Sequence, residues 1–257
     1  MIEKEICWNI TARCNQNCKY CHRFLNLKDL SFSENLSILN NLKQAGVNSI
    51  TWTGGEALLL DGVDDLLKKS YEIGIKNKII TNGKLLNHNR IDKIYKYLDS
   101  ITLSIDSTDS EINDFLGRGK NHFEEIKEIL DYINSKGYNT KIRINSVVCR
   151  NNLHDFKDLI NFLNNYKIYS WRIFKFMPLR EKAVTNKDEF NISIEEYLDV
   201  VKVIKSQSNI KNIDTRVEED MEKKYILILA NGDIVVTSNG KDETVGNALI
   251  NSLSEFI

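Results

Sequence analysis

Short apolar segments alternate with amphipathic helical patterns along the first 180 residues, and this alternation constrains the fold more than any other feature. The hydrophobic pattern predicts six strands, at Ile6–Ile10, Ser49–Thr53, Lys78–Thr81, Ser100–Ile105, Lys141–Val148 and Trp171–Phe176. Helical spacing separates them, at Ser33–Ala45, Asp61–Ile73, Asn87–Tyr97, Phe123–Ser135 and Leu153–Asn164. Six βα units in series imply a parallel sheet with right-handed crossovers.

Six units are too few to close an eight-stranded barrel. We therefore expect an α/β fold, a partial (βα)6 TIM-like barrel whose open side admits a substrate. After Pro178 the pattern changes to a charged linker, a predicted helix at Ile194–Ser206 and a hairpin turning at Asn231-Gly232. The hairpin strands are predicted at Tyr225–Leu229 and Ile234–Thr237. We expect residues 1–180 to form the barrel core and residues 181–257 a small extension that covers its mouth and contributes to the substrate site.

Composition narrows the choice of partner and compartment. The 257 residues, 42% of them hydrophobic, can bury one full core. Since 35 basic and 36 acidic side chains leave a net charge of −1, neither nucleic acid nor an anionic membrane is an expected partner. No apolar run approaches the roughly 20 residues that span a bilayer. The first predicted strand begins at Ile6, so we expect no signal peptide.

Three of the five cysteines, Cys14, Cys18 and Cys21, lie within eight residues directly after the first predicted strand. An odd count with this crowding argues against a disulfide framework and favours a metal site in a reducing compartment, so we expect a cytoplasmic protein. The other two, Cys7 and Cys149, fall within strand patterns and are expected to be small buried hydrophobes.

Thiolates suit an iron–sulfur cluster or zinc. A closed zinc site needs a fourth ligand, and His22 is poorly placed because adjacent residues rarely direct both side chains to one tetrahedral ion. Three cysteines on a cubane cluster would leave one iron free to chelate a small molecule. The spacing C-x3-C-x2-C, with Tyr20 before the last cysteine, resembles the radical S-adenosylmethionine (SAM) superfamily.

The resemblance implies a [4Fe–4S] cluster held by Cys14, Cys18 and Cys21, with SAM as the second cofactor. The reduced cluster would pass an electron to SAM, giving methionine and a 5′-deoxyadenosyl radical that removes a hydrogen atom from the substrate. An external electron donor such as flavodoxin or ferredoxin is then an expected partner. The cofactors carry the difficult chemistry, while the protein positions them and excludes water.

A second motif, Thr53-Gly54-Gly55-Glu56, ends the second predicted strand. Two glycines let the backbone approach a ligand closely, and a carboxylate can receive an ammonium. In radical SAM proteins this position carries the Gly-Gly-Glu motif that binds the SAM amino group; here Ala57 replaces the usual proline. Polar residues also end the third and fourth strands. The expected SAM-binding residues are Tyr20, Gly54, Gly55, Glu56, Thr81, Asn82, Ser104, Asp106 and Met177.

Arg143 and Asn145 alternate along the fifth predicted strand and therefore share one face. If this face points into the barrel, the charge needs a partner, because an unpaired buried charge costs several kcal/mol. A ligand would supply that partner. The alternative is an outward, solvated face.

The second half of the chain resembles viperin and its prokaryotic relatives, over residues 106–107, 116–122, 141–148, 171–175, 225–227 and 240–242. The resemblance implies conversion of a nucleoside triphosphate to its 3′-deoxy-3′,4′-didehydro form, an antiviral chain terminator. A triphosphate carries about four negative charges, so several cations must converge on it. The implied substrate-binding residues are Arg118, Arg143, Asn145, Arg172 and Lys241, and the implied catalytic residue, which re-reduces the substrate radical, is Tyr225.

Two other functions stay open. One is a radical SAM maturase, an epimerase or cyclase, of a small peptide or metabolite. No cysteine follows Cys149, so the auxiliary clusters common in peptide-modifying members are not expected. The other is a non-catalytic protein that uses its cysteines for zinc binding or redox sensing.

Overall fold

The computed structural model describes residues 4–221, 226–238, 241–251, 253 and 256. Its strands, in chain order, are β1 (Glu5–Thr11), β2 (Ser49–Gly54), β3 (Lys76–Thr81), β4 (Ser100–Ser104), β5 (Lys141–Val148), β6 (Ser170–Lys175), β7 (Ile213–Arg216), β8 (Ile226–Ile228), β9 (Asp233–Ser238) and β10 (Lys241–Asn247). The α-helices of the described residues are α1 (Phe32–Gln44), α2 (Val63–Glu72), α3 (His88–Ile94), α4 (Ser110–Leu116), α5 (His122–Lys136), α6 (Phe156–Leu163), α7 (Glu181–Thr185), α8 (Lys187–Phe190) and α9 (Ile194–Gln207).

All ten strands form one sheet in the order β10-β9-β8-β1-β2-β3-β4-β5-β6-β7. Strands β8, β1 and β2 to β7 run parallel, while β9 pairs antiparallel with β8 and with β10. The predicted α/β fold with a parallel sheet is confirmed, and so is the hairpin of β8 and β9. The parallel set is two strands larger than the six predicted. As far as the structure describes them, β7 and β8 are not hydrogen-bonded to each other.

The hydrophobic core lies between the sheet and its helices. Side chains alternate along a strand, and in β1 Ile6, Trp8 and Ile10 are fully buried in the same apolar cluster as Ile38 and Leu39 of α1. Trp8 also stacks on a tryptophan of β2, with ring centroids 5.1 Å apart. The face of the sheet that packs against the helices is therefore apolar. Polar residues lie on its opposite face, toward the inside of the barrel.

The C-terminal part of the chain joins this sheet at both ends. Strand β7 extends it beyond β6, and β8 extends it beyond β1. Arg180, just after β6, binds the Asp242 carboxylate of β10 and donates to Thr237 Oγ1 at 3.2 Å. The proposed division of the chain at residue 180 stays a prediction. In the described part of the chain, no helix is both long and apolar enough to cross a bilayer.

Candidate active site

The cysteine loop, residues 12–22, follows β1 and is held by backbone contacts with the turn after α4. Asn17 N donates to Gly117 O at 3.1 Å, and Lys19 N donates to Leu116 O at 3.0 Å. On the other side, Glu56 N donates to Arg13 O at 2.8 Å. The loop is therefore fixed by hydrogen bonds that do not involve the cysteine side chains.

Three glycines let neighbouring backbone lie against this loop and against the end of β1 that precedes it. A Cβ at Gly55 would collide with the carbonyl oxygen of Arg13, and one at Gly117 would collide with that of Asn17. Gly54 and Gly117 also adopt φ angles of 135° and 85°, which side chains other than glycine rarely tolerate. The close backbone approach that was predicted for these glycines is thus made by Gly55 to the cysteine loop and by Gly54 to Thr11, the last residue of β1.

Cys14, Cys18 and Cys21 are free, half-buried thiols that influence one another electrostatically. Burial raises the pKa of Cys18 to about 11, although the nearby Arg118 guanidinium opposes the shift. Cys14 Sγ accepts from the backbone N–H of Gln16 at 3.4 Å and from Asn82 Nδ2 at 3.7 Å. Such donors stabilise a ligating thiolate and tune the potential of an iron–sulfur cluster.

The donor set fits a cubane cluster. Among the described residues, no three Cys, His, Asp or Glu side chains are grouped as a site for one metal ion. A cubane does not require this, because each cysteine ligates a different iron, whereas a zinc ion needs its ligands around one point. His22 lies beside the ion pair of Arg180 and Asp242, and burial lowers its pKa to about 4.

The residues predicted to bind SAM at the ends of β2 and β3 meet at the cysteine loop. Glu56 is buried and accepts from Asn82 N at 2.7 Å and from Thr81 Oγ1 at 2.8 Å. Burial raises the pKa of Glu56, and these hydrogen bonds oppose the shift. Asn82 Nδ2 also donates to Asn15 Oδ1 at 2.7 Å, which joins this carboxylate network to the loop.

A buried ion pair underlies the other side of the loop. Arg118 Nε lies 2.5 Å from Asp106 Oδ2, the same oxygen that accepts from the Tyr20 hydroxyl, and the two charged side chains are only 7% and 1% exposed. Burial alone would lower the pKa of Arg118, but Asp106, Tyr20 and Cys18 together outweigh it and raise the pKa well above its usual range. Arg118, which was predicted to bind substrate phosphate, is thus committed to Asp106 in this structure.

This ion pair continues into a chain of hydrogen bonds through Gln16. Arg118 Nη1 donates to Gln16 Oε1 at 3.1 Å, and Gln16 Nε2 lies 3.2 Å from His122 Nδ1. His122 Nε2 lies 2.9 Å from the carbonyl oxygen of Ser104. Because a carbonyl only accepts, His122 carries its proton on Nε2, and Nδ1 accepts from Gln16. The chain is satisfied only while His122 is neutral. Sequence reasoning identified neither Gln16 nor His122.

We expect His122→Gln to make the free energy of unfolding less dependent on pH in the acidic range. Burial and Arg118 lower the pKa of His122 to about 3, whereas an unfolded histidine titrates near about 6.5. Between these values the unfolded chain binds the proton and the folded chain does not, so the free energy of unfolding falls as the pH falls. The free energy of unfolding is measured with denaturant at several pH values between about 4 and 6. Its slope against pH should be smaller in the variant, by the equivalent of about one bound proton. A slope equal to that of the wild type would contradict the assignment.

A polar cavity of about 520 Å³ occupies the half of the barrel nearer the strand N-termini. Asn145 and Arg172 are register partners on β5 and β6, and both line it together with Arg143. Its wall also includes Glu5, Lys78, Thr102, Lys211 and Asp214. Arg143 Nε is buried without a hydrogen-bond partner among the described residues. The structure therefore brings together three of the five residues that were predicted to bind substrate.

The remaining predicted residues lie elsewhere. Lys241 begins β10 with its side chain exposed. Met177 is buried just after β6, and Ser104 ends β4 with its side chain half-buried. Tyr225, the predicted catalytic residue, lies outside the described residues. The roles predicted for these residues, and the role of Arg118 toward the substrate, stay predictions.

Residues 8–163 match the family model of the Radical SAM superfamily. The chain belongs to this superfamily. The protein is therefore an enzyme. Its cofactors are a [4Fe–4S] cluster and SAM, as predicted. The individual ligand assignments remain predictions.

The curated relatives named S-adenosylmethionine-dependent nucleotide dehydratase include two that are at least 30% identical to this chain. The protein of Flammeovirga pacifica is 32% identical over 239 residues, which cover 88% of this chain and 80% of the relative. The protein of Lacinutrix mariniflava is 30% identical over 228 residues, which cover 84% of this chain and 46% of the relative. The chain thus spans less than half the length of the second relative.

Among solved structures, Streptococcus suis SuiB bound to the precursor peptide SuiA is similar, with a TM-score of 0.77 and 22% sequence identity. The match covers 98% of this chain and 64% of that one. At this identity the likeness shows the fold alone.

Proposed function

We propose that this chain is a radical SAM nucleotide dehydratase that converts a nucleoside triphosphate to its 3′-deoxy-3′,4′-didehydro form. The observation that carries the proposal is the cavity inside the barrel, where Arg143, Asn145 and Arg172 converge. The names of the two relatives, both at 30% identity or above, support the same reaction.

The proposed division of labour follows the geometry of the barrel. Cys14, Cys18 and Cys21 would hold the cluster, and Glu56 would receive the SAM ammonium beside the same loop. When bound, these cofactors supply the radical chemistry that removes a hydrogen atom from the substrate. The reducing electron would come from an external donor such as flavodoxin or ferredoxin.

The cavity suits a polyanion that reaches inward from the cofactors. It lies toward the strand N-termini, whereas the cysteine loop follows the C-terminal end of β1. A triphosphate in the cavity would supply the partner that Arg143 Nε lacks among the described residues. Guanidinium groups bind phosphate oxygens through paired, charge-assisted hydrogen bonds. Lys241 of β10 is proposed as a further cation, and Tyr225 as the residue that re-reduces the substrate radical.

The direct test is a nucleotide screen. Anaerobically reconstituted enzyme is incubated with dithionite, SAM and each of the four ribonucleoside triphosphates, and 5′-deoxyadenosine is measured. We expect its formation to rise with at least one of them, together with loss of water from the nucleotide. If no triphosphate raises it, the nucleotide assignment fails and the peptide or metabolite maturase becomes the better reading.

Arg172→Ala should weaken substrate binding while leaving uncoupled SAM cleavage intact. A lost charge-assisted contact costs about 1.5–3 kcal/mol, so we expect KM for the nucleotide to rise at least about tenfold. Lys157→Ala, at an exposed position on α6, serves as the control. Equal losses of nucleotide turnover and uncoupled SAM cleavage would instead assign Arg172 to SAM binding or to the fold.

A further inference from the structure

A second arginine shares the carboxylate that binds Arg172. Asp214 Oδ2 lies 2.7 Å from Arg172 Nε and 2.8 Å from Arg216 Nη2. Asp214 and Arg216 are two residues apart on β7, so they lie on the same face of the strand. Strand β7 was not predicted from the sequence, and Arg216 was not a candidate site residue.

Within the group of Arg172, Asp214 and Arg216 the charges do not balance. Two guanidinium groups share one carboxylate, which leaves one positive charge in excess. Arg216 is only 16% exposed, and its Nε is buried with no hydrogen-bond partner in the described part of the chain. Arg143 Nε, in the cavity wall, is likewise buried with no hydrogen-bond partner among the described residues. Leaving buried donors of charged groups unpaired is costly, so the arrangement favours an added anion.

The position of Arg216 suits an anion that extends from the cavity. Asp214 lines the cavity and is the register partner of Arg172, while Arg216 is the partner of Phe174, one step nearer the C-terminal ends of the strands. The backbone of Arg216 is fixed as well, because its N–H donates to the Tyr197 hydroxyl of α9 at 3.2 Å. Arg216 thus lies on the side of the cavity that faces the cofactor end of the barrel.

We infer that Arg216, held by Asp214, is a binding residue for an oligophosphate and acts together with Arg143 and Arg172. The inference rests on the proposed function and names what its site selects, a chain of phosphates rather than a single one. Three guanidinium groups spread along the inner face can contact successive phosphates, whereas one orthophosphate can satisfy only part of the set.

The test measures binding of inorganic tripolyphosphate, pyrophosphate and orthophosphate to the reconstituted holoenzyme by calorimetry at fixed salt. For the wild type we expect affinity to rise with the number of phosphates. Arg216→Gln should weaken tripolyphosphate binding at least about tenfold, and orthophosphate binding less. Arg216→Lys keeps the positive charge but loses the paired N–H donors of the guanidinium group, so its affinity for tripolyphosphate should be intermediate. This variant also tests the inference if the glutamine variant fails to fold.

Arg90→Gln is the matched control. Arg90 has a comparable ion pair, with Nη2 2.8 Å from Asp64 Oδ1, but it joins α3 to α2 outside the barrel. Its substitution should leave tripolyphosphate binding unchanged. Equal weakening in Arg90→Gln, unchanged binding in Arg216→Gln, or a wild type that does not bind tripolyphosphate would each overturn the inference.

The outcome is separable from that of the nucleotide screen. If Arg216→Gln loses tripolyphosphate binding while no triphosphate raises 5′-deoxyadenosine formation, the anion site stands and the proposed reaction fails. If the wild type turns over a nucleotide and Arg216→Gln does so with unchanged KM and unchanged tripolyphosphate binding, the reaction stands and the role of Arg216 fails.

Discussion

Alanine in place of Cys14, Cys18 or Cys21 is expected to abolish both cluster binding and SAM cleavage. Each thiolate would ligate a different iron, so loss of one thiolate would leave a second iron without a protein ligand. Iron and sulfide analysis after anaerobic reconstitution should fall from about four irons per chain toward none, with loss of the brown colour. The fold should persist, because the loop is held by backbone contacts such as Asn17 N to Gly117 O, 3.1 Å.

Cys149→Ala is the matched control for this experiment. Cys149 is a fully buried free cysteine directly after β5; its Sγ lies 3.5 Å from Asn152 Oδ1, and it packs in the same apolar cluster as Tyr20 of the loop without being one of the three predicted ligands. This variant should keep its iron and its SAM cleavage. A loop variant that retains both, or a Cys149 variant that loses both, would show that the cluster ligands have been assigned incorrectly.

Arg118→Leu is expected to lower the free energy of unfolding by about 3–5 kcal/mol, the usual cost of breaking a buried ion pair from one side. The substitution leaves the Asp106 carboxylate, 1% exposed, without its main counter-charge, and it removes a donor from Gln16 Oε1. Tyr20 and Val147 N would still donate to Asp106, but neither carries a positive charge. Denaturant unfolding at neutral pH measures the loss.

The double variant Arg118→Leu, Asp106→Leu separates the ion pair from simple loss of packing. If the penalty comes from an uncompensated charge, removal of both partners should cost less than the sum of the two single substitutions. A loss below about 1 kcal/mol in Arg118→Leu, or strictly additive single effects, would mean that the pair contributes little to stability.

The order of the βα units could be predicted because each unit has its own hydrophobic pattern. The six predicted strands coincide with β1 to β6 within one or two residues at each end. Strand β7 escaped prediction because Ile213–Arg216 is short and three of its four residues are polar. A hairpin pattern also says nothing about which distant strand it joins, so the pairing of β8 with β1 became visible only in the structure.

The candidate site, like the fold, could be predicted only in part from the sequence. The cysteine loop could be identified because its spacing is local and chemically specific. The contact of Gln16 with His122, 106 residues away, depends on how the cysteine loop packs against α5, and the sharing of Asp214 by two arginines depends on the register of β6 and β7. A single sequence carries no direct signal for either contact.

The bare α-carbons of Gly54, Gly55 and Gly117 bear on how the enzyme matures. Gly55 and Gly117 let two neighbouring turns contact the cysteine loop through main-chain atoms, and Gly54 does the same at Thr11, directly before the loop. If the three cysteines of this loop hold the cluster, we therefore expect the loop to take its shape during folding, before iron and sulfide are inserted.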